Sequence, residues 1–353
     1  MPVIPDMSDM PDMPNARSLK KLSEISDVIL DEASSQKDLH TALNDFSDLC
    51  CKITGIIPDR TFDAWSEDSY LDGGVAINPQ AAAYCIKDYQ RSIIFIRAVH
   101  AAFNRLRTQL SNTTINILYA GCGPFATLVL PLLNHLLASN TRICLLDIHS
   151  KSLESVNTLL CHFGFDHPNI HFTQGDACTY QHPNTLHLVI AETMQKSLEQ
   201  EPQFAVTANL APQLHGDGIF IPENIQVQLC LAQKKSKGRT RTTKETRQLL
   251  GTLFNLDAKS AHVQAANARL NNSTAHYELT PVIIEIPKIE KPENFDALFL
   301  TRVRVFEHFV LGHDESEITL PAKCEELSPI RPEAQYTISY QLGNYPRFTI
   351  SEN

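Results

Sequence analysis

Two hydrophobic rhythms divide the chain. From 16 to 110, "ARSLKKLSEISDVILDEAS" and "QKDLHTALNDFSDLCCKITGI" repeat apolar residues three and four apart, which predicts helices. The longest such segment, "DYQRSIIFIRAVHAAFNRLRTQL" (88–110), ends at a Ser-Asn-Thr-Thr punctuation. The texture then changes. Short apolar runs follow: "INILYA" (115–120), "RICLLDI" (142–148), "NIHFTQGDA" (169–177), "LHLVIAE" (186–192) and "GDGIFIP" (216–222). Helical stretches, among them "ATLVLPLLNHLLAS" and "SLESVNTLLCHFG", separate the earlier ones. Strands alternating with helices predict a parallel sheet covered on both faces, an α/β fold. From about 223 the runs lengthen, as in "NIQVQLCLA", "AHYELTPVIIEI", "ALFLTRVRVFEHFVL" and "QYTISYQL", with one helix near 255–270. The expected organisation is a disordered tail over 1–15, a helical segment over 16–110, an α/β domain over 111–222 and a β-rich domain over 223–353.

Composition bounds the function. At 353 residues, 43% hydrophobic and 20% charged, the chain reads as a soluble globular protein of two or three domains. It has no run of about 18 apolar residues, so no membrane span is predicted. The opening "MPVIPDMSDMPDMPNARS" lacks the apolar stretch of a secretory signal. Nine cysteines without a CxxC pair suit free thiols in a reducing compartment, and the cytoplasm is the expected location. A formal net charge of -10 argues against general nucleic-acid binding. The basic run "KKSKGRTRTTKETR" (234–247) reads either as a solvated loop or as an arm for a partner or a homodimer.

Candidate chemistry gathers where the predicted strands end. In "YAGCGPF", Gly121, Cys122 and Gly123 follow the first strand, where open α/β sheets bind ligands. Phe125 stands where a pyrophosphate fingerprint would have its third glycine, which disfavours a dinucleotide. The second strand ends in Asp147, either a helix cap or a partner for ribose hydroxyls. The third ends in "GDA", with Asp176 and Ala177. A glycine turn and two acids on neighbouring strand ends suit a ribose and an adenine without a pyrophosphate. The fourth strand runs into "VIAETMQKSLEQEPQ", which carries Glu192, Glu199 and Glu201.

These motifs resemble the class I S-adenosylmethionine-dependent methyltransferases: "AGCGPF" is similar to their first motif, "LLDI" to the ribose-binding acid and "GDA" to the adenine turn. A narrower resemblance is to the protein arginine methyltransferases, whose two glutamates nine positions apart clamp a guanidinium. Glu192 and Glu201 have that spacing, with Met194 two places after the first. "DYQRSIIF" matches the family's helix, whose arginine, here Arg91, binds the cofactor carboxylate. Glu199 is read as a surface residue, and the family's Thr-His-Trp loop has no counterpart, the single tryptophan being Trp65. The resemblance implies a Rossmann-like cofactor-binding domain and a barrel-like carboxy-terminal domain. It also implies S-adenosyl-L-methionine as cofactor, with Arg91, Gly121, Cys122, Gly123, Asp147, Asp176 and Ala177 binding it. The acceptor would be a guanidino or amino group, on a protein or a small molecule, held by Glu192 and Glu201. A methyltransferase of another small molecule and a non-catalytic cofactor-binding interaction protein are the alternatives.

Overall fold

A computed structural model describes residues 14–59, 68–111, 113–137, 140–165, 167–234, 246–271 and 275–353. The tail reading over 1–13, Trp65 and positions 235–245 of the basic run lie outside these residues.

The centre is a parallel sheet of five strands. Its spatial order is Ile170–Gln174, Thr141–Asp147, Ile115–Ala120, Leu186–Ala191, Leu214–Ile221. The strands Ile115–Ala120 and Leu186–Ala191 are buried at every position, as a strand covered on both faces requires. Alternate residues feed two different cores. Ile117, Tyr119, Leu145 and Ile190 point into one, Leu118, Ala120, Leu146 and Ala191 into the other. The helix Gln203–Leu210 contributes Val206 and Leu210 to the second core. The first receives the helices Pro14–Leu30, Gln36–Thr54, Tyr89–Gln109 and Ser150–Phe163.

Two segments depart from the periodicity. Among its described residues, "ATLVLPLLNHLLAS" forms a 3-10 turn at Leu130–Leu132 and a helix at Leu133–Leu136. Pro131, which lacks a backbone N–H, sits inside the run and prevents a longer helix. Within the helical segment a hairpin appears, with strands Ser69–Leu71 and Gly74–Ala76 joined by Asp72 and Gly73. Three-residue strands are too short to show a period, so helical spacing around them hides the hairpin.

The carboxy-terminal part is β-rich, as expected. Its strands pair as two five-stranded sheets, antiparallel throughout. Phe299 stacks on Phe348 and Phe254 on Tyr340, joining the two sheets through aromatic faces. Phe204, from the helix behind the parallel sheet, reaches both Phe254 and Tyr340 and ties this layer to the α/β part. Among the described residues, no helix is long and apolar enough to cross a membrane.

Candidate functional site

The sheet order reverses between Thr141–Asp147 and Leu186–Ala191, on either side of Ile115–Ala120, and a cavity opens at the carboxyl ends of these strands. Gly121, Cys122, Gly123, Asp147, Asp176, Ala177, Glu192, Glu201 and Arg91 all line it, so every site residue expected from the sequence meets in one place.

At one end lies the glycine turn. Gly121 and Gly123 have φ of +67° and +63°, a region that side chains disfavour. A Cβ on Gly121 would also stand 2.6 Å from Thr193 Cγ2. Asp147 Oδ2 accepts from the Gly123 N–H at 2.9 Å and Oδ1 from the His149 N–H at 2.9 Å, so this acid fastens the turn. It does not cap the following helix, whose N-cap is His149. Asp176 Oδ1 turns back to the Cys178 N–H at 2.8 Å, an Asx turn that presents Gly175 and Ala177 to the cavity. Cys122 is buried, and desolvation pushes its thiol pKa well up, which makes it a neutral wall rather than a nucleophile.

At the other end sits a buried charge cluster. Asp88 caps the helix Tyr89–Gln109 and accepts from the Arg91 N–H. Arg91 donates from one terminal nitrogen to Glu192 Oε1 at 3.3 Å and from the other to the Cys85 carbonyl at 3.0 Å. Burial alone would lower the pKa of this guanidinium, but Glu192, Cys85 and Asp88 outweigh that and hold it raised, so it stays charged. The carboxylates respond oppositely. Desolvation raises Glu192 to about 7, against the pull of Arg91, with Asp88 adding to the rise. Desolvation and the charge of Glu192 raise Glu201 to about 8. Two buried acids therefore share one fixed cation, a set with charge room for a second cation.

The loop that carries the acids is bent into place. Ser197, Leu198 and Gln200 have φ of 62°, 56° and 67°, which a non-glycine backbone resists at about 1–3 kcal/mol each. Tertiary bonds hold them there: Ser197 N–H to Thr301 Oγ1 at 2.8 Å, the Tyr340 hydroxyl to the Leu198 carbonyl, and Gln200 N–H to the Pro346 carbonyl at 2.8 Å. Gln203 Oε1 accepts from the Thr193 N–H at 2.9 Å and closes the loop from inside. Glu199 corrects an expectation. It is half-buried, not on the surface, because the loop packs on the β-rich part. Burial, with Glu326 nearby, raises its pKa while Lys196 and Arg347 oppose the rise.

A second cavity shares Val75, Ile77, Cys85, Arg91, Met194 and Glu201 with the first and leads outward. Its outer wall includes Asp68, Tyr70, Glu317 and Tyr345, with both tyrosines exposed. Glu201 thus stands at the junction. Sequence reasoning missed Asp68, Tyr70, Glu317 and the hairpin; "YLDGGVA", with a turn pair between two apolar flanks, was the available signal.

No protein-family model matches the chain, and no curated protein sequence does. Among solved structures the chain is similar to the Trypanosoma brucei PRMT1 enzyme-prozyme heterotetrameric complex with AdoHcy. The identity is 11%, the alignment covers 76% of this chain and 91% of that one, and the TM-score is 0.48.

Proposed function

We propose that the protein is an S-adenosyl-L-methionine-dependent methyltransferase acting on the nitrogen of a guanidino or amino group. The observation that carries this reading is the charge layout of the paired cavities. A glycine turn and Asp147 form one end, Glu192 pairs with Arg91 at the other, and Arg91 and Glu201 stand where a second cavity meets the first. The residues fit such a cofactor. Asp147 and the Gly175–Ala177 turn offer acceptors for a nucleoside, apolar Phe95, Phe125 and Leu128 shield its body, and Arg91 suits its carboxylate. A guanidinium has five N–H donors, and the contacts to Glu192 and Cys85 engage only part of that fork.

When bound, the cofactor supplies an activated methyl on a sulfonium. With it bound, an acceptor nitrogen could take the methyl with its lone pair, the carbon–sulfur electron pair returning to sulfur. The chain's work is positional. Glu192 and Glu201 hold the acceptor cation by charge-assisted hydrogen bonds and orient its nitrogen, while the buried walls exclude water. Neither carboxylate can strip a proton from a guanidinium of pKa above about 12 before attack. The acidity of the acceptor nitrogen rises as it is methylated, and Glu201, at the opening, is the nearer group to receive that proton.

Calorimetry tests the reading. S-adenosyl-L-methionine and its demethylated product are expected to bind in the micromolar range, and Asp147→Ala, which frees the glycine turn, is expected to abolish binding. No binding by the wild-type protein would refute it. A screen of free and peptide-borne guanidino and amino compounds then identifies the acceptor.

A further inference from the structure

The hairpin Ser69–Ala76 bridges the two ends of the site. At the nucleoside end, Ser69 Oγ lies 3.1 Å from His149 Nε2, and His149 Nδ1 lies 3.5 Å from Asp147 Oδ1. At the acceptor end, the Val75 N–H donates to the Gln200 carbonyl at 2.7 Å, one residue before Glu201. Along this hairpin, Leu71, Val75 and Ala76 form part of the cavity wall.

The turn leaves no slack. A Cβ on Gly74 would stand 2.7 Å from Pro202 N and 2.8 Å from both Gln200 O and Glu201 C. All three are backbone atoms, which cannot swing aside as a side chain would. Gly74 also has φ +144°, outside the range of other residues. One position earlier, a Cβ on Gly73 would meet Cys178 Sγ at 2.7 Å and Ala205 Cβ at 2.8 Å. The tip is therefore wedged between the turn after the third strand and the glutamate loop. Two strands of three residues each do not hold together alone in water. Their order must come from the anchors and the cavity wall.

We infer that this hairpin is a strap that sets the position of Glu201 relative to the cofactor cavity, with Ser69 and Gly74 as positioning residues at its two ends. Seating of the nucleoside end and placement of the acceptor carboxylate are then one mechanical event. Loosening either anchor disturbs both. The inference rests on the methyltransferase reading for its consequence, but not for its mechanics.

Amide hydrogen exchange on the full chain separates the two. In ligand-free protein, Ser69→Ala is expected to speed exchange of the Val75 and Glu201 amides by about fivefold, the effect of one lost hydrogen bond. Amides of the strand Ile115–Ala120 should stay at the wild-type rate. Unchanged Val75 and Glu201 amides in Ser69→Ala would overturn the strap. Added S-adenosylhomocysteine is expected to slow the Val75 and Glu201 amides together in wild type, and independent slowing would also overturn it. If wild type fails to bind S-adenosylhomocysteine, the functional reading falls while the ligand-free result still decides the strap. Gly74→Ala supplies the converse: it lies outside the cavity wall, yet should weaken S-adenosylhomocysteine by about tenfold through backbone displacement. A folded Gly74→Ala with wild-type affinity counts against the coupling.

Discussion

Glu201 shows how burial turns an ordinary acid into a specific one. Its carboxyl is desolvated and faces Glu192, so its charged form is disfavoured until a cation arrives. The consequence for stability follows in sign. A carboxyl raised from 4.5 to about 8 binds a proton in the folded protein that the unfolded chain has released, so stability falls as pH climbs through this window. Glu201→Gln removes that penalty. Its melting temperature is expected to exceed wild type by a few degrees at about pH 9 and to match it at about pH 4, by scanning calorimetry. The same variant, like Glu192→Gln, should lose about 100-fold or more in turnover while binding cofactor within a few-fold of wild type. A stabilised, inactive protein is the signature of a site that holds charge against its own fold. Equal melting temperatures at both pH values would mean the carboxyl is not desolvated.

At the scale of elements, Asp88 joins parts that the sequence keeps far apart. It caps the helix Tyr89–Gln109, and its Oδ2 accepts from the Ser316 hydroxyl at 2.6 Å and the Glu317 N–H at 2.8 Å. Ser316 in turn caps the short 3-10 turn Glu317–Thr319, with a reciprocal bond from Thr319. One buried carboxylate therefore fixes the helix that bears Arg91 and the β-rich turn that walls the outer cavity. Asp88→Ala is expected to destabilise the protein by about 2–4 kcal/mol, combining a lost cap with two charge-assisted bonds in a buried setting. Urea unfolding measures it, and a loss below about 0.5 kcal/mol would assign these bonds no structural role. The glutamate loop behaves alike: three left-handed residues persist because Thr301, Tyr340 and Pro346, all from the β-rich part, bind its backbone.

At the scale of the whole molecule, the site is composite. The parallel sheet contributes the glycine turn and the acids, the amino-terminal segment contributes Arg91 and the hairpin, and the β-rich part holds the glutamate loop in its bend. The two cavities meet at Arg91 and Glu201, and Glu201 and the neighbouring Glu192 titrate near neutrality. For a cationic acceptor, only the ionised pair attracts it, so kcat/KM at saturating cofactor is expected to rise with pH through about 7 to 8. A profile flat across that range would remove Glu192 and Glu201 from acceptor binding.

Much of this was written along the chain. Period-two and fully apolar runs predict the five central strands, because a strand's burial is set by its own residues. Gly121, Gly123, Asp147 and Asp176 were legible because glycine turns and strand-end acids have local signatures, Arg91 by resemblance alone, and Glu192 with Glu201 by spacing and resemblance. The short helix after the first strand, the hairpin at Ser69–Ala76, the burial of Glu199 and the link from Asp88 to Ser316 were not. The first two turn on local cues that the apolar period overrides, Pro131 within the run and the Asp72-Gly73 turn, whereas the last two depend on contacts between residues more than a hundred positions apart, which leave no period in the sequence. Residue chemistry determined which groups were available, glycine turns, strand-end acids, one arginine and two glutamates. Tertiary packing alone decided that Arg91 and both glutamates share one desolvated cluster, since the low dielectric that shifts their charges is made by the fold around them.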